Sequence, residues 1–284
     1  MAEPAPQTSP VVLITGSSSG IGAATARAFA RAGYQVFASM RRPTPDHPLL
    51  EEARQHGWRL VIPQLDVTDD ASVNAAVASL LAATGGRIDV LVNNAGYYLT
   101  GPIEETTPDQ LRTQMETNLI GVLRVTRAVL PAMRARGRGT VINVSSISGV
   151  VVVPLAGPYH ASKWALEALS EALRYEVAEH GVRVVTIEPG PIETPFHSNE
   201  VRVGQGDSEA SPYARIRRAY TRELRKLRRG RADDVAAMMV RAARTRRPRL
   251  RWRVGPTSFT GGVLRALVPD RLYEWGIRFT FRGD

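Results

Sequence analysis

A chain of 284 residues, 43% of them apolar and 23% charged, has the composition of a soluble globular protein with material for a sizeable core. It contains no cysteine, which excludes disulfides, thiolate nucleophiles and cysteine metal sites. The five histidines, at 47, 56, 160, 180 and 197, show no ligand spacing, so no metal is expected.

The net charge of +10 is unevenly spread: residues 215–253 carry sixteen basic side chains against three acids, leaving the rest slightly acidic. The opening "MAEPAPQTSP" lacks a basic region followed by an apolar run, so it does not read as a signal peptide. The most apolar run, "GVVVVPLAG" (149–157), is far shorter than the roughly 20 residues that span a bilayer. These features point to a cytoplasmic protein.

In chain order, strands are expected at 11–15, 34–40, 59–66, 89–95, 139–146 and 182–189. They are rich in valine and isoleucine without polar alternation, the pattern of parallel strands covered on both faces. Helical spacing fills the gaps, as in "GAATARAFARAG" (22–33) and "ASVNAAVASLLAATG" (71–85). A seventh strand is expected in "PRLRWRVG" (248–255), where arginine alternates with apolar residues as at a sheet edge. Repeated βα units predict an α/β fold: a doubly wound parallel sheet of the Rossmann type, in one domain over 1–284. Segment 190–231 breaks the rhythm after the sixth strand, where an open α/β sheet binds its ligand, and reads as a lid. Residues 255–284 mix aromatic and basic side chains and receive no role.

"VVLITGSSSGIG" (11–22) follows the first strand and opens a helix. Gly16 permits a tight turn, Gly20 lets backbone approach a pyrophosphate, and Gly22 allows close helix–strand packing. The helix start then supplies N–H groups to a phosphate. The same letters satisfy G-x-S-x-G with Ser18 at the centre, the nucleophile elbow of α/β-hydrolases. That elbow needs several strands before it, so the first-strand position favours a nucleotide. At the end of the second strand, where an acid would bond a ribose 2′-hydroxyl, the chain reads "SMRRP": Met40, then Arg41 and Arg42. A guanidinium grips a 2′-phosphate, which favours NADP(H) and makes NAD(H) the runner-up.

With "TGSSSGIG" (15–22), "LDV" (65–67), "NNAG" (93–96), Asn118, "SS" (145–146), "YHASK" (159–163) and "PGPIET" (189–194) in this order, the chain resembles the short-chain dehydrogenase/reductase family over roughly residues 10–195. Its "SMRRP" and "WRVGP" (252–256) resemble the branch containing hydroxysteroid and retinol dehydrogenases. The resemblance implies a catalytic set of Asn118, Ser146, Tyr159 and Lys163. Ser146 is preferred to Ser145 because the family's serine lies thirteen residues before the tyrosine. It further implies a dinucleotide held by Gly16, Ser17, Ser19, Gly20, Ile21 and Gly22 at the phosphates and by Arg41, Asp66, Val67, Asn93, Ala95 and Gly96 towards the adenosine. Pro189, Gly190, Ile192 and Thr194 would hold the nicotinamide, beside Tyr159 and Lys163. Asn118 would hold a water linking Lys163 to solvent, and a homo-oligomer is implied through the two long helices beside the central strands.

The chemistry of these residues agrees. Tyr159 and Lys163 are four apart on a helical pattern and so share a face. A phenol titrates near 10, and a nearby ammonium favours the phenolate. The chain has 35 arginines and only two lysines; Lys163 is one of them, a cation that can release its proton as arginine cannot. Ser146 would donate to a substrate carbonyl, and His160 is expected to be structural. The predicted reaction is hydride transfer between NADP(H) and a ketone or secondary alcohol. Apolar candidates for the pocket wall are Tyr97, Tyr98, Leu99, Val150 to Leu155, Ile192 and Phe196, which suit a hydrophobic ketone. The basic stretch 215–231 could attract an acidic carrier protein or an anionic membrane surface. No nucleic-acid module accompanies that charge.

Overall fold

The structure, a computed structural model, describes residues 9–194, 200–204 and 210–282. Phe196, expected in the pocket wall, lies outside the described residues.

Seven strands form one parallel sheet: β1 (Val11–Ile14), β2 (Gln35–Ala38), β3 (Leu60–Val61), β4 (Val90–Asn93), β6 (Gly139–Val144), β7 (Val182–Pro189) and β9 (Arg251–Val254). Their order is β3-β2-β1-β4-β6-β7-β9. The order reverses between β1 and β4, and the crevice there is where a doubly wound sheet takes its ligand. Side chains alternate between faces along each strand. Val12, Ile14, Val92 and Ile187 pack on one side with α1 (Gly20–Arg31), α2 (Pro48–His56) and α8 (Ala232–Arg244). Val11, Leu13, Leu91 and Val184 pack on the other with α3 (Asp70–Ala83) and α5 (Gly121–Ala135). The continuous apolar character of the strands is thus the imprint of two cores.

β3 is shorter than the expected strand. Pro63 has no N–H to give, so regular pairing stops after Val61. The chain nevertheless stays beside β2 through Met40 N to Pro63 O (3.2 Å) and Leu65 N to Met40 O (2.9 Å). A second, two-stranded parallel sheet, β5 (Leu99–Thr100) with β8 (Val201–Arg202), has no counterpart in the sequence pattern, because it joins two dipeptides about a hundred residues apart.

β9 explains its own alternation. Trp252 and Val254 enter the core, while Arg251 and Arg253 reach the acids of neighbouring elements. Arg251 meets Glu167 (3.0 Å) and Glu171 (2.6 Å), and Arg253 meets the fully buried Glu188 (3.1 Å). The remaining helices are α4 (Pro108–Met115), α6 (Gly157–Glu176), α7 (Ala214–Lys226), α9 (Pro256–Leu267) and α10 (Asp270–Thr280). No helix among the described residues is long and apolar enough to cross a membrane.

Candidate active site

A cavity of about 1370 Å³ runs along the carboxyl ends of the central strands, lined by the β1–α1 turn, the ends of β2, β4, β6 and β7, and the first turns of α6. Gly16 has φ +67° and Gly20 φ +55°, backbone that favours glycine. A Cβ on Gly22 would crowd the Gly16 carbonyl and lie 2.6 Å from Asn94 Nδ2. The turn is therefore pressed against the β4 end, where Asn94 Nδ2 donates to the carbonyls of Thr15 and Gly16 (both 2.9 Å). Helix α1 opens with no acidic residue in its first turn and no side chain capping it, so its N–H groups face the cavity uncompensated. This is a cradle for an anion, and a dinucleotide phosphate fits it.

Most expected cofactor residues line this cavity: Gly16, Ser19, Gly20, Ile21, Gly22, Arg41, Asp66, Val67, Ala95, Gly96, Pro189, Gly190, Ile192 and Thr194. Two do not. Ser17 turns inward, its hydroxyl donating to Ile14 O (3.2 Å), and Ser18 takes the exposed place in the turn. Asn93 is buried between β4, α5 and β6, donating to Thr126 Oγ1 (3.1 Å) and Asn143 Oδ1 (2.8 Å). The turn after β1 directs Ser17 inward, whereas at the end of β4 one residue of register moves a side chain from cavity to core. Asn94 is the neighbour that reaches the loop. Met40 is buried under the pocket rim, and Arg41 and Arg42 stand exposed at it. Burial alone would raise the Asp66 carboxyl, but bonds from Thr68 and the nearby Arg41 and Arg124 outweigh it and hold it below its ordinary range.

Tyr159 and Lys163 lie on one face of α6, both 6% exposed, with Nζ of Lys163 5.7 Å from the centre of the Tyr159 ring. The Ser146 hydroxyl shares a hydrogen bond with the Tyr159 phenol and accepts from Ser148 N (3.1 Å). Ser145, by contrast, is almost wholly buried. The expectation that Lys163 makes the phenol acidic is not met in this geometry. Nζ donates to Val144 O (2.8 Å) rather than to the phenol. Burial pushes Tyr159 up to about 12 despite its bond to Ser146, and Tyr220 adds to the rise. The same burial brings Lys163 down to about 8, against the pull of Glu167. Desolvation dominates because both groups are nine-tenths buried or more, and burial disfavours the charged form of each.

Asn118 sits in a single π-helical turn, Glu116–Ile120, and is buried beneath the cavity floor. Its amide clamps the main chain of Tyr97, accepting from N and donating to O (both 3.1 Å), and donates to Ser162 Oγ (3.2 Å). The side chain therefore fixes the β4–α4 loop against α6. His160 is structural as expected: its ring accepts from Val153 N (3.2 Å) and bonds Ser148 O (3.1 Å), pinning the loop between Ser146 and Tyr159. Among the described residues no base meets the Ser18 hydroxyl; His47 meets its main-chain carbonyl instead (3.2 Å). The hydrolase alternative finds no support.

Tyr98 lines the cavity as expected, whereas three pocket elements were not named from the sequence: Tyr220 of α7, and helices α9 and α10. Tyr98 packs edge-on against Tyr159 (ring centres 4.6 Å apart), and its hydroxyl bonds that of Tyr220 from α7. Thr257 and Gly261 of α9, Ile277 and Thr280 of α10, and Phe281 just after it also line the cavity. The unassigned C-terminal residues therefore build a wall of the site. No periodicity signals this, since the wall exists only once these helices pack across the sheet's carboxyl edge.

A glycine turn at the first strand of a doubly wound sheet, opening onto a buried Ser–Tyr–Lys set, defines an oxidoreductase of the dinucleotide-binding class. Residues 10–203 match the short chain dehydrogenase family, and the chain belongs to that family. It is 34% identical over 275 residues to a 3-ketodihydrosphingosine reductase of Bacteroides thetaiotaomicron, covering 95% of this chain and 97% of that one. It is 33% identical over 276 residues to an NADPH-dependent 3-dehydrocapnine reductase of Ornithobacterium rhinotracheale, covering 92% and 94%. Among solved structures, a short-chain dehydrogenase from Streptomyces avermitilis superposes with a TM-score of 0.81 at 34% identity, over 95% of this chain and 97% of that chain.

Proposed function

We propose that the protein is an NADP(H)-dependent reductase that turns an apolar ketone into a secondary alcohol, with Tyr159 as the acid. The observation that carries this reading is a neutral, buried phenol, bonded to Ser146 and backed by Lys163, in the wall of a cavity that begins at an open helix N-terminus. Relatives named as reductases of 3-keto and 3-dehydro compounds, one of them NADPH-dependent, support it. The cradle residues from Gly16 to Gly22 would hold the phosphates. Arg41 and Arg42 would hold a 2′-phosphate, Asp66 and Val67 the adenine, and Ile192 and Thr194 the carboxamide. Bound NADPH supplies the hydride.

Ser146 donates a hydrogen bond to the substrate oxygen and stabilises charge gathering there. Tyr159, protonated at any physiological pH, gives its proton to that oxygen. Lys163, with a value near 8, then returns a proton to the phenolate. A phenol held at about 12 stays protonated at physiological pH, so the form that reduction needs is the one present. The described part of segment 190–231 is read as the lid, its Tyr220 bonded to the Tyr98 that packs on the catalytic tyrosine. The enzyme is read as a cytoplasmic homo-oligomer, which the exposed Leu123 on α5 and Trp164 on α6 support. Part of the basic stretch 215–231 is engaged internally, as Arg217 pairs with Glu105 (2.5 Å), and nothing favours an acidic carrier protein.

The test is nicotinamide absorbance over a panel of apolar ketones with NADPH and NADH in parallel; oxidation of neither would overturn the reading. Arg41→Glu should raise the KM for NADPH roughly tenfold to a hundredfold, the range of a lost charged hydrogen bond, and leave that for NADH nearly unchanged. An equal rise for both would remove Arg41 from 2′-phosphate recognition. The pH dependence follows from Lys163. Its proton is present below about 8 and lost above it, so reduction should be flat to that point and fall with roughly unit slope beyond. Lys163→Met should erase the inflection, and a wild-type profile flat beyond pH 9 would exclude the relay.

A further inference from the structure

Six of the large apolar side chains most exposed on this protein lie in its last two helices: Phe259, Leu264 and Leu267 on α9, and Leu272, Trp275 and Phe279 on α10. Leu272, Trp275 and Phe279 follow i, i+3, i+7 spacing and so form one stripe. Each is at least 61% exposed, and the Trp275 and Phe279 rings stack 5.5 Å apart in solvent. No residue of α10 is fully buried. A stacked tryptophan–phenylalanine pair left in water needs a covering partner.

The surroundings say which. Arg271 and Arg278 on α10 and Arg282 just after it lie beside the stripe and are exposed, Arg278 being paired with Glu274 one turn earlier (2.6 Å). Arg222 Nη2 donates to Arg282 O (3.2 Å) and Tyr220 stacks on Phe281 (6.2 Å), which ties α7 to the end of α10. The exposed Arg225, Lys226, Arg228 and Arg229 at the α7 terminus therefore extend the same basic border. An apolar stripe with an interfacial tryptophan, edged by arginines on a chain of net charge +10, is complementary to an anionic phospholipid surface. The opposite side of α10 carries Ile277 into the cavity wall, followed by Phe281. We propose that α10 lies on an anionic bilayer surface, with Leu272, Trp275 and Phe279 at the headgroup–acyl boundary, and presents the substrate cavity to the membrane. The helix rests in the interface and does not span it. The cavity then draws substrate from an apolar phase, a consequence that rests on the ketone-reductase reading; docking itself does not.

The test needs neither nucleotide nor substrate. The full chain is mixed with phosphatidylcholine vesicles with and without phosphatidylglycerol, and binding is read by flotation and by the blue shift of Trp275 fluorescence, with Trp275→Phe as the reference. Binding to the anionic vesicles, falling as salt screens the arginines, is expected. Leu272→Ser/Trp275→Ser/Phe279→Ser should weaken it at least about tenfold while leaving the melting temperature and dinucleotide binding unchanged. Arg271→Glu/Arg278→Glu should weaken binding to the anionic vesicles alone. No binding, or binding indifferent to the apolar triple substitution, overturns the proposal. So does an assembly in solution that the triple substitution dissociates while vesicles remain unbound, since a second copy would then cover the stripe.

Discussion

Tyr159→Phe is expected to keep the fold and the dinucleotide and to lower turnover on the order of a thousandfold, the span of one positioned acid. The substitution removes one oxygen from a ring buried against Tyr98, and shape is conserved. Ser146 still accepts from Ser148 N, and its half-buried hydroxyl on the cavity wall is free to turn its proton to water, so stability should change by no more than about 1 kcal/mol. Calorimetry, dinucleotide titration and ketone reduction on one preparation separate these effects. Turnover within tenfold of wild type would remove Tyr159 from the chemistry.

Gly22→Ala should have the largest effect on stability and on dinucleotide binding. The residue lies in the first turn of α1, where alanine normally favours a helix by roughly 1 kcal/mol. Here the new methyl would be driven into the Gly16 carbonyl and the Asn94 amide, both held by the hydrogen bonds that join the turn to β4. Backbone must move, so a destabilisation of about 3 kcal/mol is expected, a fall of about 5–10 °C in Tm. Dinucleotide affinity should drop with it, because the same turn forms the anion cradle. Gly33→Ala offers the contrast: nothing lies within 4 Å of its added methyl, and only the backbone angle of +86° is strained. A Gly22→Ala protein with unchanged Tm would show that the turn is not packed as described.

Under the proposed relay, the burial-driven values of Tyr159 and Lys163 account for a lysine at a position where arginine would fit the bias of the chain. On sequence alone, the ammonium is expected to make the phenol acidic. Burial reverses that emphasis: the phenol is held neutral at about 12, and the lysine is brought to about 8, where it gives up a proton readily. Arginine holds its proton too tightly to do so. The residue choice was legible in composition and spacing, but the direction of the shifts was not, because desolvation depends on what packs around α6.

Much of the scaffold is local and was readable. Seven apolar runs became seven parallel strands because alternation of two buried faces leaves valine and isoleucine with no polar interruption. The turn at Gly16, Gly20 and Gly22 was readable because sterics allow few other residues there. The i, i+4 pair on α6 was fixed by helix geometry alone. Ser17 and Asn93 do not line the cavity, because the turn after β1 and the register of β4 decide which way each side chain faces.

What only the tertiary structure decided is every contact made across long sequence separation. The β5–β8 pair, the Tyr98–Tyr220 hydroxyls, the clamp of Asn118 on Tyr97 and the wall that α9 and α10 add to the cavity join segments from about 20 to 180 residues apart. Sequence by itself determined a dinucleotide-type fold, through periodicity and backbone freedom, and the family resemblance pointed to the Ser–Tyr–Lys set. The shape of the pocket, the protonation of its acid and the exposed stripe of α10 follow from packing, which no single window of residues contains.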